Sequence, residues 1–209
     1  MITIQFPDNT IKKFPQGTTA FDIAKDISEG LARNVLAAKI NGTITDVKKP
    51  LNSNKIIELE LLTWKDDGGK STMWHSSAHL LAEAIQHYYP NAKFAIGPPI
   101  EDGFYYDIEF PKDISFSSED FLKIEKKILE LAKQKNTYIL THISKKDAIS
   151  YFKEKDNNYK LELLEDLKDG EITFYQQGSF IDLCKGPHIP NTSFIKAVKL
   201  INVAGAYWK

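Results

Sequence analysis

The chain has 209 residues, 42% hydrophobic and 26% charged, with 27 basic and 28 acidic side chains balancing to a net charge of −1. That is enough apolar material for one large core or two small ones. It contains no run of eighteen apolar residues, and its start, Met1-Ile-Thr-Ile-Gln-Phe6, lacks the basic-then-apolar order of a signal peptide, so membrane insertion and export are not indicated and a cytoplasmic location is expected. A strongly basic nucleic-acid binder is excluded too. Any RNA contact must be local and, with Arg33 the sole arginine, must rest on lysine point charges rather than bidentate forks.

Residues 1–62 read as a compact α+β unit. Alternation in Ile2–Phe6, the turn Pro7-Asp-Asn9 and the returning Ile11–Phe14 predict a hairpin. A helix follows, capped by Thr18 or Thr19, with Phe21, Ile23, Ala24 and Ile27 on one face and Gly30 as its stop. Val35–Ile40, the Asn41-Gly42 turn and the apolar run Ile56–Leu62 complete a ββαββ-type sheet crossed by one helix. Its Asp and Lys residues fall in turns and on exposed faces, so they are expected to be solvated surface with no catalytic constellation.

The polar stretch Thr63–Ser71, with its Gly-Gly pair, is the expected boundary, and residues 63–209 the second domain. Its first helix is predicted from a Ser71 or Thr72 cap through Trp74, Ala78, Leu81, Ala82 and Ile85 to about Tyr89, before Pro90. Lys93–Gly97 and Phe104–Phe110 read as strands around a Pro/Gly turn. Ser117 precedes a helical pattern of Phe121, Ile124, Ile128 and Leu131, and Ser144-x-x-Asp147 resembles a capping box opening a helix through Phe152. Ile172–Tyr175 and Phe180–Cys184 flank Gln176-Gln-Gly178 as a hairpin that delivers Cys184 to a Gly186-Pro187 turn.

The side chains able to do chemistry gather in two places. His75-Ser-Ser-Ala-His79 puts two imidazoles four residues apart on one helix face, close enough to share a water, a substrate or a metal. The apolar stripe centres between Leu81 and Ile85, so both histidines are expected at its rim. Cys184-Lys-Gly-Pro-His188 folds the only cysteine and a histidine toward one point; a lone cysteine forms no intrachain disulfide, leaving filler, metal ligand or catalytic group as its role. Only His87 and His142 remain outside these clusters. Each pair alone is equally a core-edge histidine pair or a buried cysteine beside a surface histidine; together they suggest a site. Three His and one Cys are also the donors of a tetrahedral zinc, but a zinc with all four positions filled by protein is structural, so hydrolysis needs an open position or no metal, with imidazole as general base. Asp182 shares a strand face with Cys184 unless it simply pairs with Lys185, Tyr106 follows the Gly103 turn, and Lys160 looks like a helix-surface lysine by pattern.

At His75-Ser-Ser-Ala-His79-Leu-Leu, Ala95-Ile-Gly-Pro-Pro-Ile-Glu-Asp-Gly-Phe-Tyr-Tyr106-Asp, Asp182-Leu-Cys-Lys-Gly-Pro-His188 and Val203-Ala-Gly-Ala-Tyr-Trp208, the chain closely resembles the N-terminal part of bacterial-type threonyl-tRNA synthetases. The resemblance covers nearly the whole sequence. It implies an α+β chain: a β-grasp TGS domain at 1–62, then a larger editing domain at 63–209 with an antiparallel sheet and helices, of the type shared with alanyl-tRNA synthetases. It also implies hydrolysis of mischarged Ser-tRNA(Thr), with His75, His79, Cys184 and His188 lining the pocket and Lys160, Asp182 and Tyr106 binding or positioning substrate and water. Threonyl-type pockets resemble water-mediated sites, whereas alanyl-type relatives bind zinc at the same four positions; a metal-free site is expected here, with zinc at those residues as the alternative. Small or apolar exchanges at Ser77 and Pro99 leave this chemistry in place. The sequence stops before the class II motifs, so ATP, a catalytic zinc, threonine ligation and homodimerisation are expected of the rest of the synthetase chain, and the tRNA(Thr) 3′ acceptor end is the expected partner. The rival readings are a free-standing trans-editing factor and a zinc-stabilised RNA-binding or regulatory module.

Overall fold

A computed structural model describes residues 1–205; the Ala206–Trp208 end of the Val203–Trp208 motif lies outside the described residues. The fold is α+β, and among the described residues no helix is long and apolar enough to cross a membrane.

The opening hairpin forms as read, β1 (Ile2–Gln5) pairing antiparallel with β2 (Ile11–Phe14). Thr19 caps α1 (Ala20–Ile27) in a reciprocal box: its Oγ1 accepts from the Asp22 amide at 3.1 Å while its own amide donates to Asp22 Oδ2 at 3.1 Å. Gly30 is not the stop. Ser28, in an extended conformation, breaks α1 and caps a second helix, α2 (Glu29–Ala32), that contains Gly30. β3 (Ala37–Ile40) turns through Asn41 and Gly42, whose φ of 47° and 82° fit the tight hairpin such a pair favours, into a short strand missed by the sequence pattern, β4 (Thr43–Thr45). β5 (Ile56–Leu62) then enters the centre, parallel to β1 and antiparallel to β3, giving the order β2-β1-β5-β3-β4. Ile2, Ile4, Ile23, Ala24, Val35, Val47, Ile57 and Leu59 form the core between this sheet and α1.

The polar stretch after β5 is shorter than expected. Asp66 accepts from the Thr63 amide at 2.7 Å and Thr63 Oγ1 at 3.0 Å, closing a turn from which α3 (Asp67–Tyr88) starts at once, so Asp66 rather than Ser71 or Thr72 is the cap position. The glycine pair lies inside the helix for steric reasons. A Cβ at Gly69 would strike the Thr63 carbonyl, and one at Gly68 would lie 2.6 Å from Ile44 Cδ1 on β4, so the pair lets α3 approach the first sheet.

α3 is the axis of the second half. α4 (Phe121–Lys133), preceded by a 3-10 turn capped by Ser117, packs along it, and Leu80, Leu81, Ile85, Phe94, Ile124, Ile128 and Phe180 join their core. The expected pair of strands around residues 93–110 is broken into two ladders, β6 (Lys93–Phe94) with β9 (Ile108–Glu109), and β7 (Pro99–Ile100) with β8 (Gly103–Phe104), because Pro98 and Pro99 have no amide to give. Tyr106 therefore sits between strands. The hairpin β11 (Thr173–Gln177) and β12 (Phe180–Leu183) forms as read and gains an edge strand, β10 (Ile139–His142), whose four exposed residues show no alternation to read. α5 (Lys145–Glu154), capped by Ser144, and α6 (Asn158–Glu165) cover this sheet through Ala148, Phe152, Leu164, Ile172 and Phe174.

Candidate active site

α3 carries His75 and His79, and the chain leaving β12 carries Cys184 and His188, with ligand atoms that all lie within 4.8 Å of one another. His75 Nε2 is 3.0 Å from Cys184 Sγ, and Cys184 Sγ is 3.4 Å from His188 Nε2 and takes the Gly186 amide at 3.2 Å. The rim expectation fails for His79. From Ser76 to Ile85 every residue of α3 is buried, because α4, β12 and the β7–β8 hairpin surround it, and His79 is 2% exposed; His75 alone of the four is half-buried. His87 and His142 are exposed, as their exclusion from the clusters implied.

His188 is held from all sides. Its ring stacks on Tyr138 with centroids 4.5 Å apart and on His75 at 4.6 Å, and meets Tyr175 edge-on at 4.5 Å. Ser76 Oγ donates to Thr72 O at 2.8 Å, accepts from the Ile189 amide at 3.1 Å and faces His188 Nδ1 at 3.0 Å. With its one proton committed to Thr72, the hydroxyl accepts from His188, so this network assigns the neutral ring's proton to Nδ1 and turns the Nε2 lone pair toward Cys184. Burial lowers the pKa of His75, and lowers those of His79 and His188 much further, the neighbouring imidazoles adding to the effect. Burial also pushes the Cys184 thiol up to about 12. At neutral pH the quartet is three neutral imidazoles and a thiol, bases held without charge in a low-dielectric pocket.

Beside it lies a charged pair. Lys160 Nζ is 2.6 Å from Asp182 Oδ1, with side-chain exposures of 2% and 6%. Asp182 also takes the Leu183 amide at 2.8 Å and the Tyr106 hydroxyl, so the carboxylate is fully partnered. This corrects two readings: Lys160 is not a surface lysine, and Asp182 pairs with it rather than with Lys185. Asn157 caps α6 by accepting from the Lys160 amide at 3.2 Å and donates to Phe94 O at 3.0 Å, which fixes where Lys160 enters. Tyr106 lies against Gly97, where a Cβ would strike its ring, and burial raises its hydroxyl's pKa well above the usual range, keeping it a donor. The charges of Asp182 and Lys160 both reach His75 and Cys184, so the ion pair lies close beside the quartet.

The sequence pattern missed three residues. Ser76 lies inside the H-x3-H motif and reads as a small helix residue. Tyr175 lies on β11, with its ring under Gly186, which has φ +69° and no room for a side chain. Asp46, in the first half, accepts from Tyr175 Oη at 2.5 Å and from the His188 amide at 2.6 Å, so the expectation of solvated acids there fails at this position.

The quartet also has the donor set of a metal site. A tetrahedral zinc holds its nitrogen and sulfur donors about 3.4 Å apart, and the clustering within 4.8 Å fits in kind and number, with the buried Nδ1 atoms of His75 and His79 lacking hydrogen-bond partners. His75, His79, Cys184 and His188 would hold the ion.

Comparison with known proteins gives two family matches, the TGS domain over residues 2–60 and the threonyl and alanyl tRNA synthetase second additional domain over residues 172–206. Over all 209 residues the chain is 62% identical to a threonine–tRNA ligase of Cytophaga hutchinsonii, 51% to one of Parabacteroides distasonis and 47% to one of Flavobacterium johnsoniae. It spans 32% of the length of each of these relatives. The chain therefore carries a TGS match followed by a match to the threonyl and alanyl tRNA synthetase second additional domain, and along its whole length it is similar to part of the threonine–tRNA ligases it matches.

Proposed function

We propose that this chain is the editing region of a cytoplasmic threonyl-tRNA synthetase, with a TGS domain at 1–62 and an editing domain at 63–209, and that it hydrolyses the ester of mischarged Ser-tRNA(Thr). The observation that carries the reading is the convergence of His75, His79, Cys184 and His188, from segments more than a hundred residues apart, beside the buried Lys160–Asp182 pair.

Serine is threonine minus one methyl group. A synthetic site built for threonine disfavours serine by only about 1–3 kcal/mol, so fidelity needs a second site that admits the smaller side chain and excludes the larger. Hydrolysis there requires a base for water, a donor for the developing oxyanion and a fixed ester. His75 is the exposed edge of the quartet, and burial keeps its imidazole uncharged and able to accept a proton. Lys160, whose ammonium has protons beyond the one given to Asp182, supplies the donor, and Asp182 holds both Lys160 and the Tyr106 hydroxyl in place. His79 and His188, with the Cys184 thiol, complete the wall that orients the water.

Catalysis by this site proceeds with no resident metal. A zinc bound by all four residues has no open position, and its chemistry would be structural, tying α3 to the Cys184–His188 loop. The 3′ acceptor end of tRNA(Thr) is the partner; the remainder of the synthetase supplies ATP use, threonine ligation with its own zinc, and the homodimer interface. His75→Ala is expected to lower the deacylation rate of a seryl acceptor-stem mimic by about a hundredfold, the usual contribution of a positioned general base. Undiminished activity in that variant contradicts the assignment.

A further inference from the structure

The TGS domain places one carboxylate in the wall of the hydrolytic site. Asp46 directly follows β4, and the residue after it, Val47, is fully buried in the first core, with its carbonyl accepting the Phe21 amide of α1 at 2.9 Å. Its position is therefore set by the TGS fold. From there Asp46 Oδ1 accepts the His188 amide at 2.6 Å and Oδ2 accepts the Tyr175 hydroxyl at 2.5 Å. Tyr175 in turn lies under Gly186, whose missing Cβ is what allows the contact. The loop Cys184–His188 is thus tied to the first domain twice, once at the backbone of a site histidine and once through the tyrosine beneath its glycine. Among the described residues nothing in the second domain replaces either tie, since Ser76 and Tyr138 hold the His188 ring rather than its amide.

We infer that Asp46 is a positioning residue of the editing site, acting through His188 and Tyr175, so that the TGS domain completes that site. The inference rests on the editing reading for its catalytic consequence, but the contact can be tested without it. Cys184 is the only cysteine of the chain and takes the Gly186 amide, so its rate of alkylation by iodoacetamide reports the loop's position. Asp46→Ala in this chain is expected to speed Cys184 alkylation about tenfold and to lower kcat for Ser-tRNA(Thr) hydrolysis at least about tenfold with KM little changed, since two charge-assisted bonds are lost and the loop shifts. Asp46→Asn, which keeps an acceptor for the His188 amide and an amide group facing Tyr175, restores most of both, and Tyr175→Phe, which cuts one tie, falls between. Asp22→Ala removes the carboxylate half of the α1 capping box without touching the loop and serves as the control for general loosening of the same domain. Wild-type alkylation and kcat in Asp46→Ala, or an equal rise in alkylation in Asp22→Ala, would overturn the inference. If the wild-type chain left Ser-tRNA(Thr) intact the editing reading would fail, while the alkylation series would still decide the role of Asp46.

Discussion

Residues 1–62 and the part that follows draw on the same aliphatic residues for their cores but differ in what they bury beside them. In the first part the buried side chains are Ile, Val, Leu and Ala, and its ion pair Lys39–Glu60 is 44% and 45% exposed. Among the described residues every buried polar side chain lies from Thr72 onward, including His79, Glu83, Lys160, Gln177, Asp182 and His188. Burying such groups costs free energy unless each finds a partner. The second part meets that cost with the Ser76, Tyr106 and Asn157 networks, and four buried atoms still lack one: His75 Nδ1, His79 Nδ1, Glu83 Oε2 and Gln177 Oε1. Polar burial on this scale is what sets the second half apart and places its titratable groups in a low-dielectric setting.

The largest effect is expected where the contrast is sharpest. Asp182→Ala, which strands a buried lysine, should destabilise the chain by about 3–5 kcal/mol in urea unfolding, whereas Glu60→Ala at the exposed pair should cost at most about 1 kcal/mol. The double variant Lys160→Met/Asp182→Leu should recover most of that stability and none of the hydrolytic activity. Equal costs at the two pairs would erase the distinction between the halves.

The pH dependence should be next in size. Because His75, His79 and His188 have folded pKa values below the ordinary 6.5, the unfolded chain binds more protons below that pH, and stability should fall as pH drops from 6.5. Each histidine can remove at most about 1.4 kcal/mol per pH unit. Cys184 gives the opposite limb: with its folded pKa pushed up to about 12 from 9.0, the unfolded chain loses that proton first, and stability should fall as pH rises above 9. A plateau between these limbs is therefore expected in denaturation midpoints measured across pH, and a variant with His75, His79 and His188 all changed to Gln should lose the acid limb. An unchanged acid limb would contradict the buried neutral state.

Two glycine substitutions should show the smallest contrast. Gly30→Ala, whose added methyl in α2 would meet Ser28 Oγ at an unstrained 3.8 Å, should stabilise by about 0.5–1 kcal/mol. Gly69→Ala, driven into the Thr63 carbonyl, should destabilise by about 1–3 kcal/mol, read as opposite shifts in Tm.

The hairpins, the capped helices and the two motif pairs were legible because each is written locally, in alternation, in Thr19 and Ser144 caps, or in spacing along one helix. Four features were not. Gly68 and Gly69 read as a linker because their demand comes from Ile44 and the Thr63 carbonyl, contacts that no composition rule sees. Lys160 read as surface because its partner Asp182 lies on a different element, and only the family resemblance raised it. Asp46 read as solvated because it lies 142 residues before His188, and nothing in its neighbourhood announces a destination in the other half. β10 lay outside reach for a different reason: an edge strand exposed along its length needs no apolar alternation.

The central claim is that the second half is a hydrolytic site that reads one methyl group, and single-turnover deacylation of matched seryl and threonyl acceptor-stem mimics, at low salt to offset the chain's lack of net positive charge, tests it most directly. Serine release at least about tenfold faster than threonine release is expected, a single methyl contributing about 1–3 kcal/mol to such discrimination. Equal rates on the two esters, or neither faster than in buffer alone, would contradict it.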